Sequence, residues 1–213
     1  MRRSRAVLFD FDGTVMDTEP AIIASYTHLF RLWRTEAEFT PELQVEVLGP
    51  SLAQEMARFF PDHDVEECLR EYRGYQNGHL AELVRPMEGA EELLRWLRSE
   101  GYPTGIISTR LHESLDHILS MQGMKDLFDI VIGHDEVQRE KPDPEGILHA
   151  CKMLGCSESV YVGDSATDIE AGINAGSYTV AALTKPEKEA SLLAAGPDAS
   201  IRRLSELREL LKD

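Results

Sequence analysis

The chain has 213 residues, 42% of them hydrophobic and 28% charged, which is the balance of a folded globule with a full core and not of a disordered chain. Acidic residues outnumber basic ones 38 to 22, giving a formal charge of −16. General binding to nucleic acid or to an anionic membrane is therefore disfavoured, and a phosphate compound would need a local cationic site or a divalent metal. Cys68, Cys151 and Cys156 offer no disulfide framework, no neighbouring Cys/His pair completes a zinc pattern, and so sparse a set points to a reducing, cytoplasmic setting. Only Ala6 to Phe9 is apolar after the N-terminal arginines, too short for a signal segment, and no later run approaches a membrane span.

The first predicted element is the strand Ala6–Phe9. A short continuous apolar run suits a strand buried on both faces of a parallel sheet. It ends on Asp10-Phe11-Asp12-Gly13-Thr14. A helical block follows. Thr18-Glu19-Pro20 reads as a helix start, and Ile22, Ile23, Tyr26, Leu29, Phe30 and Trp33 recur near helical spacing. Pro41 starts a short helix, Ser51 to Gln54 has capping-box spacing for another, and Asp64 to Leu83 reads as one more. No strand is predicted between Val15 and Val84.

After that the pattern alternates. Glu88–Arg98 is helical and stops at Gly101, and Thr104–Ser108 is a strand. His112–Met121 is helical, and Phe128–Ile132 is a strand. Pro144–Leu154 is helical and Val160–Val162 is a strand ending on Gly163-Asp164. Asp168–Ala175 is helical, Tyr178–Ala182 is a strand, and a last helix spans about Ser205 to Leu211. Strands alternating with helices imply an α/β fold, a doubly wound parallel sheet that binds ligands at the carboxyl ends of its strands.

Those ends carry the chemistry. One strand delivers Asp10 and Asp12, another Ser108 and Thr109, and a third Gly163-Asp164, with Asp168 four residues on. The loop after Ile132 carries Lys141-Pro142. Each alone is an ordinary turn feature. Together, on one edge of a parallel sheet, they form a pocket of carboxylates with one lysine and one hydroxyl. Packed carboxylates repel, and a hard divalent cation resolves the repulsion. With Mg²⁺ screening the charge, an aspartate can attack phosphorus while Lys141 and Ser108 hold the phosphoryl oxygens.

Asp10-Phe11-Asp12-Gly13-Thr14-Val15, Ser108, Lys141-Pro142 and Gly163-Asp164-Ser165-Ala166-Thr167-Asp168 resemble the four motifs of the haloacid dehalogenase superfamily. The resemblance implies a Rossmann-like core, residues 1–17 and 86–213, with an inserted helical cap, residues 18–85. It implies Asp10 as nucleophile, forming an aspartyl-phosphate, and Asp12 as general acid and base. It implies Mg²⁺ held by Asp10, the Asp12 backbone carbonyl and Asp164, phosphoryl binding by Ser108 and Lys141, and supporting positions for Asp168 and Thr14. An acyl-phosphate hydrolyses usefully only if water is deprotonated beside it, and Asp12, two residues on along an extended strand, would be placed for this. The dehalogenase branch lacks that second aspartate. The phosphonate-hydrolase branch needs a cap lysine, and this chain has no lysine before Lys125.

Within the cap, Leu48-Gly49-Pro50-Ser51-Leu52 and Tyr72-Arg73-Gly74-Tyr75-Gln76-Asn77-Gly78-His79 resemble a bacterial pyrophosphatase group of the phosphoglycolate phosphatase-like branch. Ser108-Thr109-Arg110 departs from the Thr-Thr-Lys more usual there, and an arginine fork is not a lysine point charge. The expected substrate is pyrophosphate or a small phosphorylated metabolite, with Thr109, Arg110 and Arg73 as its contacts. The alternatives are a phosphoglycolate phosphatase, a mutase similar to β-phosphoglucomutase, and a non-catalytic binding protein on the same fold.

Overall fold

The computed structural model describes residues 4–48 and 52–212. Six strands form one parallel sheet in the order β5-β4-β1-β6-β7-β8. These are β1 (Arg5–Phe9), β4 (Thr104–Ile107), β5 (Ile130–Ile132), β6 (Glu158–Gly163), β7 (Tyr178–Ala182) and β8 (Ala199–Ile201). Helices α5 (Ala90–Ser99), α6 (His112–Met121), α7 (Glu145–Leu154), α8 (Ala166–Asn174), α9 (Pro186–Ala194) and α10 (Leu207–Leu210) belong to the same unit.

The apolar run Ala6–Phe9 takes the interior place that its composition predicts. It pairs with β4 on one side and β6 on the other, and its four residues are buried. The register sets Phe9 level with Ile106 and Val162. The carboxyl ends of three neighbouring strands are therefore level, at the point where the strand order switches direction.

The chain divides into two compact units, residues 1–17 with 85–213, and residues 18–84. The second unit is helical: α1 (Glu19–Trp33), α2 (Pro41–Glu46), α3 (Leu52–Phe59) and α4 (Val65–Leu83). Pro20 lies in the first turn of α1, Pro41 opens α2 under a Thr40 cap, and the Asp64 carboxylate accepts from Glu67 N at 3.1 Å to cap α4. Its core is aromatic, with Tyr26 and Tyr72 edge to face at 5.3 Å and Phe30 stacked on Phe39 at 5.0 Å. The capping box expected at Ser51 lies outside the described residues.

Three expectations are corrected. A strand does lie between Val15 and Val84: β2 (Met16–Asp17) pairs antiparallel with β3 (Arg85–Pro86), tying together the two points where the chain leaves and re-enters the α/β unit. Two residues are too few for any periodic signal. Helix α9 and strand β8 were not expected at all. Helix α9 buries only Leu192 and β8 only Ile201, so neither shows a stripe that a pattern could reveal. Finally, β1 stops at Phe9, and Asp12 stands in a tight turn in which Val15 N and Met16 N both donate to the Phe11 carbonyl. Asp10 and Asp12 are not neighbours on one face of an extended strand.

Candidate active site

Asp10 emerges from the central strand, and its amide donates to Val162 O at 2.8 Å. It is buried, as are Ser108, Asp164 and Asp168. One carboxylate oxygen each from Asp10, Asp164 and Asp168 lies within 4.8 Å of the others. The cluster can coordinate a divalent metal, and an all-oxygen donor set suits a hard cation such as Mg²⁺.

Lys141 bridges two of the three. Its Nζ donates to Asp10 Oδ1 and to Asp168 Oδ1, each at 2.6 Å. Burial works against the ammonium, but attraction to Asp10 and then Asp168 outweighs it and lifts the Lys141 pKa well above its usual value. Burial, followed by the Asp168 charge, pushes the Asp10 carboxyl upward, while Lys141 opposes the rise.

Asp168 is fixed through both oxygens. Oδ1 also accepts from the Tyr161 hydroxyl at 3.3 Å, and Oδ2 accepts from Ser165 N at 3.1 Å and from the Ser165 hydroxyl. Ser165 and Asp168 form a reciprocal capping box, so helix α8 begins at Ala166 with Asp168 at its third position. An aspartate held through both oxygens is suited to orienting Lys141.

Two glycines make room. Gly13 has φ of +76°, and a Cβ there would sit 2.4 Å from Asp164 Oδ2. Gly163 would place a Cβ 2.3 Å from that of Asp168. Each motif glycine lets the backbone approach a carboxylate that a side chain would displace.

The remaining expected residues fall out as follows. Ser108 is buried at the end of β4, where its hydroxyl accepts from Arg110 N at 3.2 Å. Thr109 is exposed beside Ser108, and with Lys141 and Gly133 it borders a small depression. Thr14 is fully buried, and its hydroxyl has no hydrogen-bond partner among the described residues. Arg110 Nε reaches the Asp12 carboxylate, at 2.7 Å to Oδ1 and 3.0 Å to Oδ2. Arg73 belongs to the other unit, on α4.

Sequence reading missed three contributors. Tyr161 hid inside an apolar strand, and Ser165 was read only as part of a motif. Lys188, on the unforeseen α9, donates to Asp164 Oδ2 at 2.8 Å. Burial raises the Asp164 carboxyl pKa while Lys188 restrains it, and the Lys188 pKa rises despite burial because of Asp164. A lysine in the first turn of a proline-started helix was the available signal.

The sequence pattern of the haloacid dehalogenase-like hydrolases matches residues 7–182, spanning β1 through β7 and every motif of the site. The chain belongs to this family. The haloacid dehalogenase-like assignment makes it a hydrolase with an aspartate-centred site. Relatives include the enzyme named Pyrophosphatase PpaX from Listeria monocytogenes serotype 4b, 34% identical over 212 residues, covering 97% of this chain and 96% of that one. The protein of the same name from Bacillus velezensis is 34% identical over 208 residues, covering 97% and 95%. A haloacid dehalogenase-like family hydrolase from Streptococcus pneumoniae superposes with a TM-score of 0.85 at 21% identity, covering 97% of this chain and 98% of that one, which shows the shared fold. No helix among the described residues is long and apolar enough to cross a membrane.

Proposed function

We propose that this haloacid dehalogenase-like hydrolase is a Mg²⁺-dependent phosphohydrolase that cleaves inorganic pyrophosphate or a small phosphate monoester through an aspartyl-phosphate on Asp10. The observation that carries the reading is Lys141 bridging Asp10 and Asp168 beside Asp164. Relatives named as pyrophosphatases, aligned over nearly the whole chain, favour pyrophosphate.

Asp10 and Asp164, with the Asp12 carbonyl, would hold Mg²⁺, which when bound screens the negative charge of nucleophile and phosphate. Asp10 attacks the phosphorus, forming a P–O bond as the bond to the leaving oxygen breaks. Lys141 and Ser108 hold the transferring phosphoryl oxygens, and Thr109 adds a contact at the rim. Asp12 protonates the leaving group, then takes a proton from the water that attacks the acyl-phosphate and restores Asp10. Asp168 keeps Lys141 aimed, and Thr14 supports the turn that carries Asp12. Arg73 on the helical cap is the proposed contact for the far end of the substrate. A cytoplasmic location fits the three free cysteines.

The test is hydrolysis of a panel containing pyrophosphate, phosphoglycolate and sugar phosphates, with and without EDTA, by wild type and Asp10→Asn. Activity should need the metal, and the variant should fold but not turn over, because an amide cannot form the acyl-phosphate. Near wild-type turnover by a folded Asp10→Asn protein would sink the mechanism. Brisk phosphoglycolate hydrolysis with negligible pyrophosphate cleavage would replace the substrate and leave the mechanism standing.

A further inference from the structure

We infer that Lys188 is a built-in counter-ion to the metal carboxylate Asp164, pairing with it when no metal is bound and holding down the affinity for Mg²⁺. The inference rests on the reading of Asp164 as a metal ligand.

The placement of Lys188 argues for this role. It lies in the first turn of α9, where Lys185 is the N-cap and Pro186 opens the helix. A cation there opposes the helix macrodipole, so the helix itself gives no reason for a lysine. Nor is the side chain turned out to water: only 24% of it is exposed, and its ammonium lies 2.8 Å from Asp164 Oδ2. The surrounding backbone is anchored to the site. The Thr184 hydroxyl, just before the helix, donates to the Gly13 carbonyl at 3.2 Å, and Leu192 is buried one helical turn beyond Lys188. Gly13 in turn packs directly against Asp164.

Each carboxylate of the site faces a cation. Lys141 serves Asp10 and Asp168, Arg110 serves Asp12, and Lys188 serves Asp164. Lys141 has a second carboxylate and sits deeper; Lys188 shares the carboxylate that a metal also needs. A positive charge this close lowers the affinity of that carboxylate for a second cation. Lys188 acts through Asp164 and touches no reacting atom, so it is a positioning residue.

The experiment is calorimetric titration of Mg²⁺ into wild type, Lys188→Met and Lys188→Arg without substrate, with thermal unfolding in the presence and absence of Mg²⁺. Lys188→Met should bind Mg²⁺ more tightly, by roughly tenfold for one removed charge near a divalent ion. Its metal-free form should melt lower than wild type, with much of the difference restored by Mg²⁺. Lys188→Arg keeps the charge and should retain an affinity within about threefold of wild type. Equal Mg²⁺ affinity in wild type and Lys188→Met, or a melting loss of the same size with and without Mg²⁺, would make the lysine merely structural and overturn the inference. Wild type that binds no Mg²⁺ would overturn the metal reading together with this inference, whereas wild type that binds it no less tightly than Lys188→Met overturns the inference alone.

Discussion

Arg110 is where residue identity and geometry pull apart. Its place after Ser108-Thr109 suggests a grip on the leaving phosphate, while the structure turns its guanidinium onto both oxygens of Asp12. The two roles leave different kinetic traces. A grip on one end of pyrophosphate is lost mainly in KM, and only for that substrate. A clamp that aims Asp12, the proposed acid–base group, is lost in kcat, for every substrate that uses it. One Nε–H shared between both oxygens of Asp12, on an arginine side chain only 12% exposed, favours the clamp. Arg110→Ala should therefore lower kcat on pyrophosphate and on an aryl phosphate by similar factors. The ceiling is the ~10²–10⁴-fold that general acid–base catalysis contributes. Steady-state kinetics on both substrates checks this, and a rise in KM confined to pyrophosphate would return Arg110 to the leaving group.

At the scale of elements, the signal followed burial. Strand β1 was legible because all four residues of Ala6–Phe9 are buried, and β7 because its last four are. The glycines and aspartates at the strand ends were legible because backbone and carboxylate approach too closely there for other residues. The β2–β3 pair and β8 were too short, and α9 too polar, for a period to show. Pairing partners such as Arg110 with Asp12 are 98 residues apart in sequence, and only the fold brings them together. Helix α3 carries a different cost. Glu55 is buried in the helical unit, 3.6 Å from Arg58, and its Oε2 has no hydrogen-bond partner among the described residues. Burial pushes its carboxyl above the ordinary range, with Arg58 in opposition. A raised folded pKa means that the folded state holds the proton longer than the unfolded chain, so stability is lost as pH rises through the folded pKa. Glu55→Gln removes the charge but not the shape. It should stabilise the protein at neutral pH by on the order of 1 kcal/mol, with the gain fading toward acid. Thermal unfolding of both proteins across pH tests the sign, and a variant less stable than wild type at neutral pH would refute it.

For the whole molecule, the same linkage joins charge, metal and pH. A chain of net charge −16 gathers Asp10, Asp12, Asp164 and Asp168 at one sheet edge and sets Lys141, Arg110 and Lys188 against them. Burial raises the carboxyl pKa of both Asp10 and Asp164. Between the ordinary carboxylate range and those raised values, the metal-free folded state binds more protons than the unfolded chain. Its contribution from this site therefore falls as pH rises through that window. On the proposed function Mg²⁺ would reverse the balance, binding the ionised carboxylates in competition with their protons. A ligand that binds only the folded state adds about 2.7 kcal/mol at a hundred times its dissociation constant. The Mg²⁺-induced rise in Tm should therefore be small in mild acid and grow toward neutral pH. Asp10→Asn combined with Asp164→Asn should flatten both the pH trend of the site and the Mg²⁺ response. Differential scanning of wild type and the double variant, with and without Mg²⁺ across that window, measures both together. A Mg²⁺ shift that is constant with pH in wild type, or that survives in the double variant, would mean that the cation binds elsewhere than at these two carboxylates.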